Sequence, residues 1–410
     1  MKEKTLSVLV VGAGMYVSGR GTEGYGTILP ALYQAQREGL VHGVTVAATT
    51  ARSIKSLGGK LDSLDALFGA GLSRNLFPKA GKDPYAYRQA FRGRRKPDCA
   101  IISVPDHLHF DITAELVKKG IHCLVVKPLA PTVAEVKKLI AMADAAGVYG
   151  AVEFHKRYDR SNLKLRDTIR QGLIGDPLYF VVEYSQRKHI PLTMFREWVG
   201  HTNIFQYLGI HYVDIIYFVT GAIPLRVAAL GQKEFLRRRG IDTYDAIQCL
   251  IEWKMENGRP FTSTILTNWI DPENTSAMSD QKIKVIGTKG RYEADQKYRG
   301  IGIVTDARGI EEPNPDFSSF YGTGSGEGGC NAGVSEGISF RGYGPESILR
   351  FLQDVSDIRG GVLSPCALEG RRPTFRDALV PTRVLEAANR SLVAGGIWVD
   401  IESAHDGENA

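Results

Sequence analysis

Leu6-Ser-Val-Leu-Val-Val11-Gly12-Ala-Gly14-Met-Tyr-Val17 decides the fold of this 410-residue chain. Leu6 to Val11 is an apolar run of the kind found in a strand covered on both faces. The strand empties into Gly12 and Gly14, the first two glycines of a dinucleotide fingerprint. One glycine allows the tight turn and the other lets backbone approach a pyrophosphate. The third fingerprint position is Val17, and Gly19, Gly21, Gly24 and Gly26 follow before a helix expected over Thr27 to Glu38. The loop is therefore longer than the standard turn.

Moving outward, strand and helix alternate. The second strand is expected over Val44 to Ala48 and ends in Thr49-Thr50-Ala51-Arg52-Ser53, with no acid at its end. An acid there serves a ribose 2′-hydroxyl, whereas arginine suits a 2′-phosphate. Thr50, Arg52 and Ser53 thus point to NADP over NAD, unless Arg52 simply starts the next helix. A third buried strand ends at Ser103, followed by Val-Pro105-Asp-His107-Leu-His109, with His109 opening a helix that Gly120 closes. His122 to Val126 forms the next strand and delivers Lys127, where Pro128 stops it. In an open parallel sheet this carboxyl edge is where ligands bind. Thr132-Val-Ala-Glu135 is a capping box, and Val148 to Phe154 forms a fifth strand. The pattern predicts a doubly wound parallel sheet.

Composition narrows the function classes. With 43% hydrophobic and 23% charged residues the chain is an ordinary globular one. The net charge of +6 comes from basic pairs scattered among acids, which disfavours nucleic-acid and membrane-surface partners. The five cysteines are odd in number and lack CxxC spacing, so neither a disulfide framework nor a metal site is expected. The amino terminus has no signal-peptide pattern, and a cytoplasmic location is expected.

The ordered set of GxG, Ser103-Val-Pro-x-x-x-His109 and Val126-Lys-Pro-Leu-Ala-Pro-Thr132 resembles the Gfo/Idh/MocA family. These are nicotinamide-dependent oxidoreductases related to glucose-fructose oxidoreductase and inositol 2-dehydrogenase. The resemblance continues through His155-Lys-Arg157-Tyr158, Arg170 to Gly175, Gly209 to Asp214 and the stretch Arg383 to Ile401. It implies an α/β Rossmann domain over 1–152 and an α+β domain over 153–410, the latter with a largely antiparallel open sheet used in oligomerisation. It implies a cofactor site from Gly12, Gly14, Met15, Tyr16, Thr50, Arg52, Ser103, Pro105, His109, Lys127 and Pro128. The family usually carries Glu-Lys-Pro, with the lysine beside both nicotinamide and reacting hydroxyl. Here the glutamate is Val126.

In the second half, Leu178 to Gln186 alternates with a period of two, and further strands are expected over Leu225 to Gly231, Ala246 to Lys254, Phe261 to Trp269 and Lys282 to Gly287. A helix capped by Ser161 precedes them. On the helix expected around Gly209, Tyr207 lies four residues before His211 and Asp214 three after it, so all three share a face. The resemblance implies that His211 is the proton acceptor. The family's aspartate is replaced by Tyr207, leaving imidazole orientation to Tyr207 or Asp214. Trp198 and Arg157 are further substrate-pocket candidates, one stacking on a sugar face and the other binding hydroxyls.

The expected activity is hydride transfer between a nicotinamide and a hydroxyl or carbonyl of a sugar, sugar acid or cyclitol, in a homodimer or homotetramer. The alternatives are a glycosidase that oxidises its sugar transiently and a silent NAD(P)-binding regulator. The glycine-rich segment 322–344, with nine glycines, is read as a flap or an inter-subunit arm.

Overall fold

The structure, a computed structural model, describes residues 5–92, 96–322 and 338–401. These form two compact units: Met1–Leu129, Lys137–His155 and Asp316–Arg376 in the first, and Ala130–Val136, Lys156–Pro315 and Asp377–Ala410 in the second. The chain passes between the units at 155–156, where the sequence reading drew its division at 152, and the short stretch 130–136 also belongs to the second unit. The return of 316–376 to the first unit was not readable from the sequence pattern.

In the first unit the strands are β1 (Leu6–Val11), β2 (Val41–Ala47), β3 (Arg74–Phe77), β4 (Cys99–Ile102), β5 (His122–Val126) and β6 (Gly150–Glu153). They form one sheet in the order β3-β2-β1-β4-β5-β6, and every neighbouring pair is parallel. The doubly wound expectation holds, with one more strand than expected. β3 was missed because Arg74-Asn-Leu-Phe sits at the sheet edge, only half buried, and lacks the apolar signature of a covered strand. A four-residue helix, α1 (Met15–Ser18), also went unread between the glycine turn and α2 (Ile28–Arg37). α3 (Ala51–Phe68), α4 (His109–Lys118), α5 (Val133–Ala146) and, after β16 below, α8 (Tyr343–Arg359) complete the main helices of the wound region. The core lies where Val8, Val10, Val44, Val46 and Ile101 meet Leu29, Leu32, Leu57 and Ile348.

In the second unit, α6 (Arg160–Arg170) and α7 (Ile210–Thr220) flank the start of a mixed seven-stranded sheet. Its strands are β7 (Pro177–Arg187), β8 (Ile223–Gln232), β9 (Ala246–Lys254), β10 (Pro260–Asp271), β11 (Ser279–Gly287), β12 (Arg291–Asp295) and β17 (Val399–Asp400). They run in the order β12-β11-β7-β10-β9-β8-β17, antiparallel except for β10 against β7. Period-two patterning sets one face: Phe261, Ser263, Ile265, Thr267 and Trp269 of β10 are buried while their alternates are not. α9 (Leu379–Val393) packs on β8. The cap of α6 is Asp159, accepting from Ser161 N at 3.0 Å, rather than Ser161 itself. β13 (Ile303–Thr305) pairs with β14 (Gly309–Glu311), and in the first unit β15 (Ser319–Gly322) pairs with β16 (Ile338–Arg341). Most of the glycine-rich segment and the carboxyl tail lie outside the described residues.

Gly12 shows why glycine is required at the β1 turn. Its φ is 120°, and a Cβ there would stand 2.0 Å from the Ser103 carbonyl oxygen. Gly14 has an ordinary φ of −78°, and a Cβ would meet nothing within 4 Å. Gly12→Ala is expected to destabilise the first unit by about 1–3 kcal/mol, a typical penalty for a strained backbone position. Gly14→Ala is expected to stay within about 0.5 kcal/mol. Chemical denaturation followed by fluorescence checks this, and equal stability of the two variants would refute the reading.

Candidate active site

Lys127 leaves the carboxyl end of β5, the position forecast for it, and is only 6% exposed. The strand behind it is apolar, so the ammonium has little water around it. That desolvation lowers its pKa to about 8, against the opposing pull of Asp106 and Glu153. Asp106, buried in the loop after β4, and Glu153, the last residue of β6, are the acids whose charge opposes that shift.

Glu153 was not singled out from the sequence. It is 1% exposed and held by three partners. Tyr16 Oη and Ser347 Oγ donate to its Oε1 at 2.9 and 2.5 Å, and His155 Nδ1 stands 2.8 Å from Oε2. The imidazole of His155 lies between the rings of Tyr16 and Tyr343, at 6.0 and 5.7 Å between centroids, with Phe317 at 5.5 Å. Burial, with Glu153 adding to it, pushes the Tyr16 phenol well above its usual range, so that phenol donates as a neutral group. A readable signal did exist: a glutamate inside the otherwise apolar run Val148 to Phe154.

The other cofactor candidates distribute as follows. Gly12 and Ser103 lie side by side, and Ser103 N donates to Val11 O at 2.9 Å. Pro105 caps the turn that carries Asp106. His109 is 1% exposed, with Nδ1 2.6 Å from Pro128 O and Nε2 2.9 Å from Val104 O. Its ring therefore ties the loop after β4 to the Lys127–Pro128 turn. Met15 opens α1, and Tyr16 directs its hydroxyl into Glu153. Thr50 caps α3 by accepting from Ser53 N at 3.1 Å, and Arg20 from the glycine loop donates to Ser53 Oγ at 3.1 Å. Arg52 is exposed in the first turn of α3. The open face at Gly14, beside a turn that only glycine fits, suits a dinucleotide pyrophosphate.

In the second unit, His211 is the second residue of α7 and 4% exposed, with its ring 6.4 Å from that of Tyr184. Residues Phe205–Gly209 form a wide π-helical turn in front of α7. Tyr207 and His211 are therefore not stacked by regular helical spacing, as the sequence suggested. Such wide turns recur at functional positions. Half-buried Tyr207 sits among rings: Phe195 at 5.0 Å edge-on and Trp269 at 6.2 Å, while half-buried Trp198 lies 4.4 Å from Phe195. Asp214 accepts from Arg157 with both carboxylate oxygens, from Nε at 2.9 Å and from Nη2 at 2.6 Å. Arg157 Nη1 also donates to Asp377 at 2.9 Å. Burial alone would lower the Arg157 pKa, but Asp214 and Asp377 outweigh it and hold the guanidinium above its usual range. Two residues read as pocket candidates thus form an ion pair with each other. Lys156, 1% exposed, lies over the rings of Tyr184 and Tyr212 at 5.0 and 5.1 Å and donates to Gln281.

A family model for the oxidoreductase family with an NAD-binding Rossmann fold matches residues 6–154, and its GFO/IDH/MocA carboxyl-terminal domain matches 162–293. The chain belongs to the Gfo/Idh/MocA oxidoreductase family. It is 25% identical over 236 residues to the myo-inositol 2-dehydrogenase of Thermotoga maritima, covering 56% of this chain and 65% of that one. It is 23% identical over 232 residues to the 1,5-anhydro-D-fructose reductase of Ensifer adhaerens, covering 55% and 66%. These matches span about two thirds of the relatives' lengths. A solved Azotobacter vinelandii inositol dehydrogenase homolog, complexed with NADH and myo-inositol, shares the fold at TM-score 0.68 and 17% identity, covering 97% of each chain.

Removing one member of a buried ion pair leaves an uncompensated charge, at a cost of about 3–5 kcal/mol. Arg157→Met, stranding Asp214 and Asp377, is expected to lose stability of that order in thermal or urea unfolding. A variant as stable as the parent would contradict the structural role of the pair.

Proposed function

We propose that the protein is a dehydrogenase or reductase that moves hydride between a nicotinamide cofactor and a hydroxyl or carbonyl of a cyclitol, sugar or sugar acid. The observation that carries this is Lys127: a desolvated ammonium at the carboxyl edge of a dinucleotide-binding sheet. When bound, the nicotinamide supplies the hydride-exchanging carbon. Gly12, Gly14 and Ser103 would hold its pyrophosphate side. The chain's own groups handle charge and protons. His211 takes the substrate hydroxyl proton, a task suited to an imidazole. Lys127 stabilises the oxygen as negative charge develops on it, an effect strengthened by the dry surroundings. Trp198 and Tyr207 offer half-buried aromatic faces for the apolar side of a polyol ring.

NADP is the preferred cofactor in this reading. The segment Ala48–Ser53 carries no acid, Arg20 donates to the hydroxyl of Ser53 just after β2, and Arg52 is the exposed residue before it. A homodimer or homotetramer through the open face of the seven-stranded sheet accounts for Tyr179, Leu230 and Leu250, which share that face and are 42%, 54% and 36% exposed. The free, buried thiols Cys99, Cys123 and Cys249 fit a reducing, cytoplasmic compartment. No helix among the described residues is long and apolar enough to cross a membrane.

The test is absorbance of reduced nicotinamide while the protein, given NADP or NAD in turn, meets a panel of inositols, sugars and sugar acids. Turnover with at least one polyol, and a kcat/KM for NADP roughly tenfold or more above NAD, is expected from a 2′-phosphate contact worth about 1.4 kcal/mol. Silence across the panel with cofactor still bound would overturn the dehydrogenase reading.

A further inference from the structure

We propose that Arg20, carried on the long glycine loop and not on α3, is the residue that binds the 2′-phosphate of the cofactor's adenosine ribose, and that Lys60 holds the loop which presents it. The inference rests on the proposed NADP preference and names the residue that produces it.

The loop is built into place. β1 and β2 end side by side, with Gly12 N donating to Ala47 O at 2.8 Å. The turn suited to a pyrophosphate therefore adjoins the end of β2, where the adenosine ribose of a dinucleotide lies in such sheets. Residues 19–26 then run along α3. Lys60, on α3, donates to three successive carbonyls of this loop, those of Thr22, Glu23 and Gly24, at 3.1, 3.1 and 2.7 Å. An ammonium has three donors, so the clip uses all of them. The same ammonium lies 5.4 Å from the centre of the Tyr25 ring. The mouth of the loop is pinched at Gly19, whose φ is 69° and where a Cβ would stand 2.0 Å from the Gly24 carbonyl oxygen.

A loop closed in this way leaves Arg20 little choice of position. Ser53 and Lys60 are about two helical turns apart on α3 and share a face. Lys60 takes one part of the loop and Ser53 takes the other: Arg20 Nη1 donates to Ser53 Oγ at 3.1 Å, and that hydroxyl is 2.9 Å from Thr50 Oγ1. Arg52 and Lys82 also lie at this edge, Lys82 through a backbone bridge to Thr50. Among the described residues, however, Arg20 is the cation whose side chain bonds to the α3 cap, and no carboxylate pairs with it there. The acid on the facing loop, Asp83, accepts from Tyr85 N at 2.8 Å. A guanidinium carries five donors in a fork that matches phosphate oxygens, and one bond to Ser53 leaves most of them available. The Ser53 hydroxyl can donate to the same phosphate. An unphosphorylated ribose gives such a cation no opposite charge to meet.

The experiment is titration calorimetry of the full chain, without substrate, using adenosine 2′,5′-bisphosphate and 5′-AMP as probes. The readout is the 5′-AMP dissociation constant divided by that of the bisphosphate. Charge-assisted contacts to the extra phosphate should make this ratio roughly ten or more in the parent. Arg20→Met should lower it roughly tenfold, and Arg20→Lys, which keeps the charge but loses the fork, should fall between the two. Arg20 is exposed, so these exchanges leave folding intact. Lys60→Met, about two turns from the proposed phosphate, should lower the ratio roughly threefold or more by releasing the loop. A merely structural Arg20 would move both constants together and leave the ratio alone.

A parent ratio near one overturns the NADP preference and this proposal together. A high parent ratio that survives Arg20→Met, above all one that is lost in Arg52→Met, overturns this proposal and leaves the NADP preference standing. An unchanged ratio in Lys60→Met overturns the role of the clip. Because the probes need no turnover, the expected ratios without any polyol reaction would sink the dehydrogenase reading and leave this one standing.

Discussion

Everything in the first unit converges on one unfavourable act, the burial of the Lys127 ammonium at the end of an apolar strand. Taking a charge out of water costs several kcal/mol unless opposite charge is fixed nearby. The fold answers by bringing Asp106 and Glu153 to the same sheet edge from two neighbouring connections. Desolvation still prevails, so the amine is poised to change charge near neutrality instead of far above it. A cation that is dry, fixed and close to titration is well matched to an oxygen that gains and loses charge during turnover.

That arrangement depends on how sharply β5 ends. His109 reaches the Pro128 carbonyl on one side and the Val104 carbonyl on the other, fixing the turn after Lys127 to the turn that presents Asp106. The glycine turn after β1 nests against Ser103 in the same stretch. The dinucleotide-binding turn, the acid-bearing loop and the turn at the lysine are therefore linked through the His109 ring and the close approach of Gly12 to Ser103. The second unit is organised differently. Several of its buried polar groups join in side-chain networks: Arg157 with Asp214 and Asp377, and Tyr212 through Gln296 to Asn162.

Much of this was legible in the sequence wherever one physical rule dominated. β1, β4, β5 and β6 announce themselves because both faces are covered, and β7, β9 and β10 because only one is. β3 escaped because an edge strand needs neither pattern. Candidate side chains such as Lys127 and His211 could be named from the sequence one by one, but the partnerships around them could not. Helical spacing put Tyr207, His211 and Asp214 on one face, yet the wide turn at 205–209 breaks that spacing, and Asp214 faces Arg157 from 57 positions earlier in the chain. Glu153 was passed over although it is the one acid in the apolar run Val148 to Phe154, because its partners Tyr16 and Ser347 lie far from it in the chain.

The central claim is that Lys127 acts on the reacting oxygen and not as a mere tether for the cofactor. Single-turnover rate and cofactor dissociation constant, measured side by side for Lys127→Met and the parent with the best substrate of the panel, test it most directly. The account predicts a rate lower by roughly a hundredfold or more, with cofactor affinity changed by no more than about threefold. A near-normal rate, or a loss carried wholly by cofactor affinity, would contradict it.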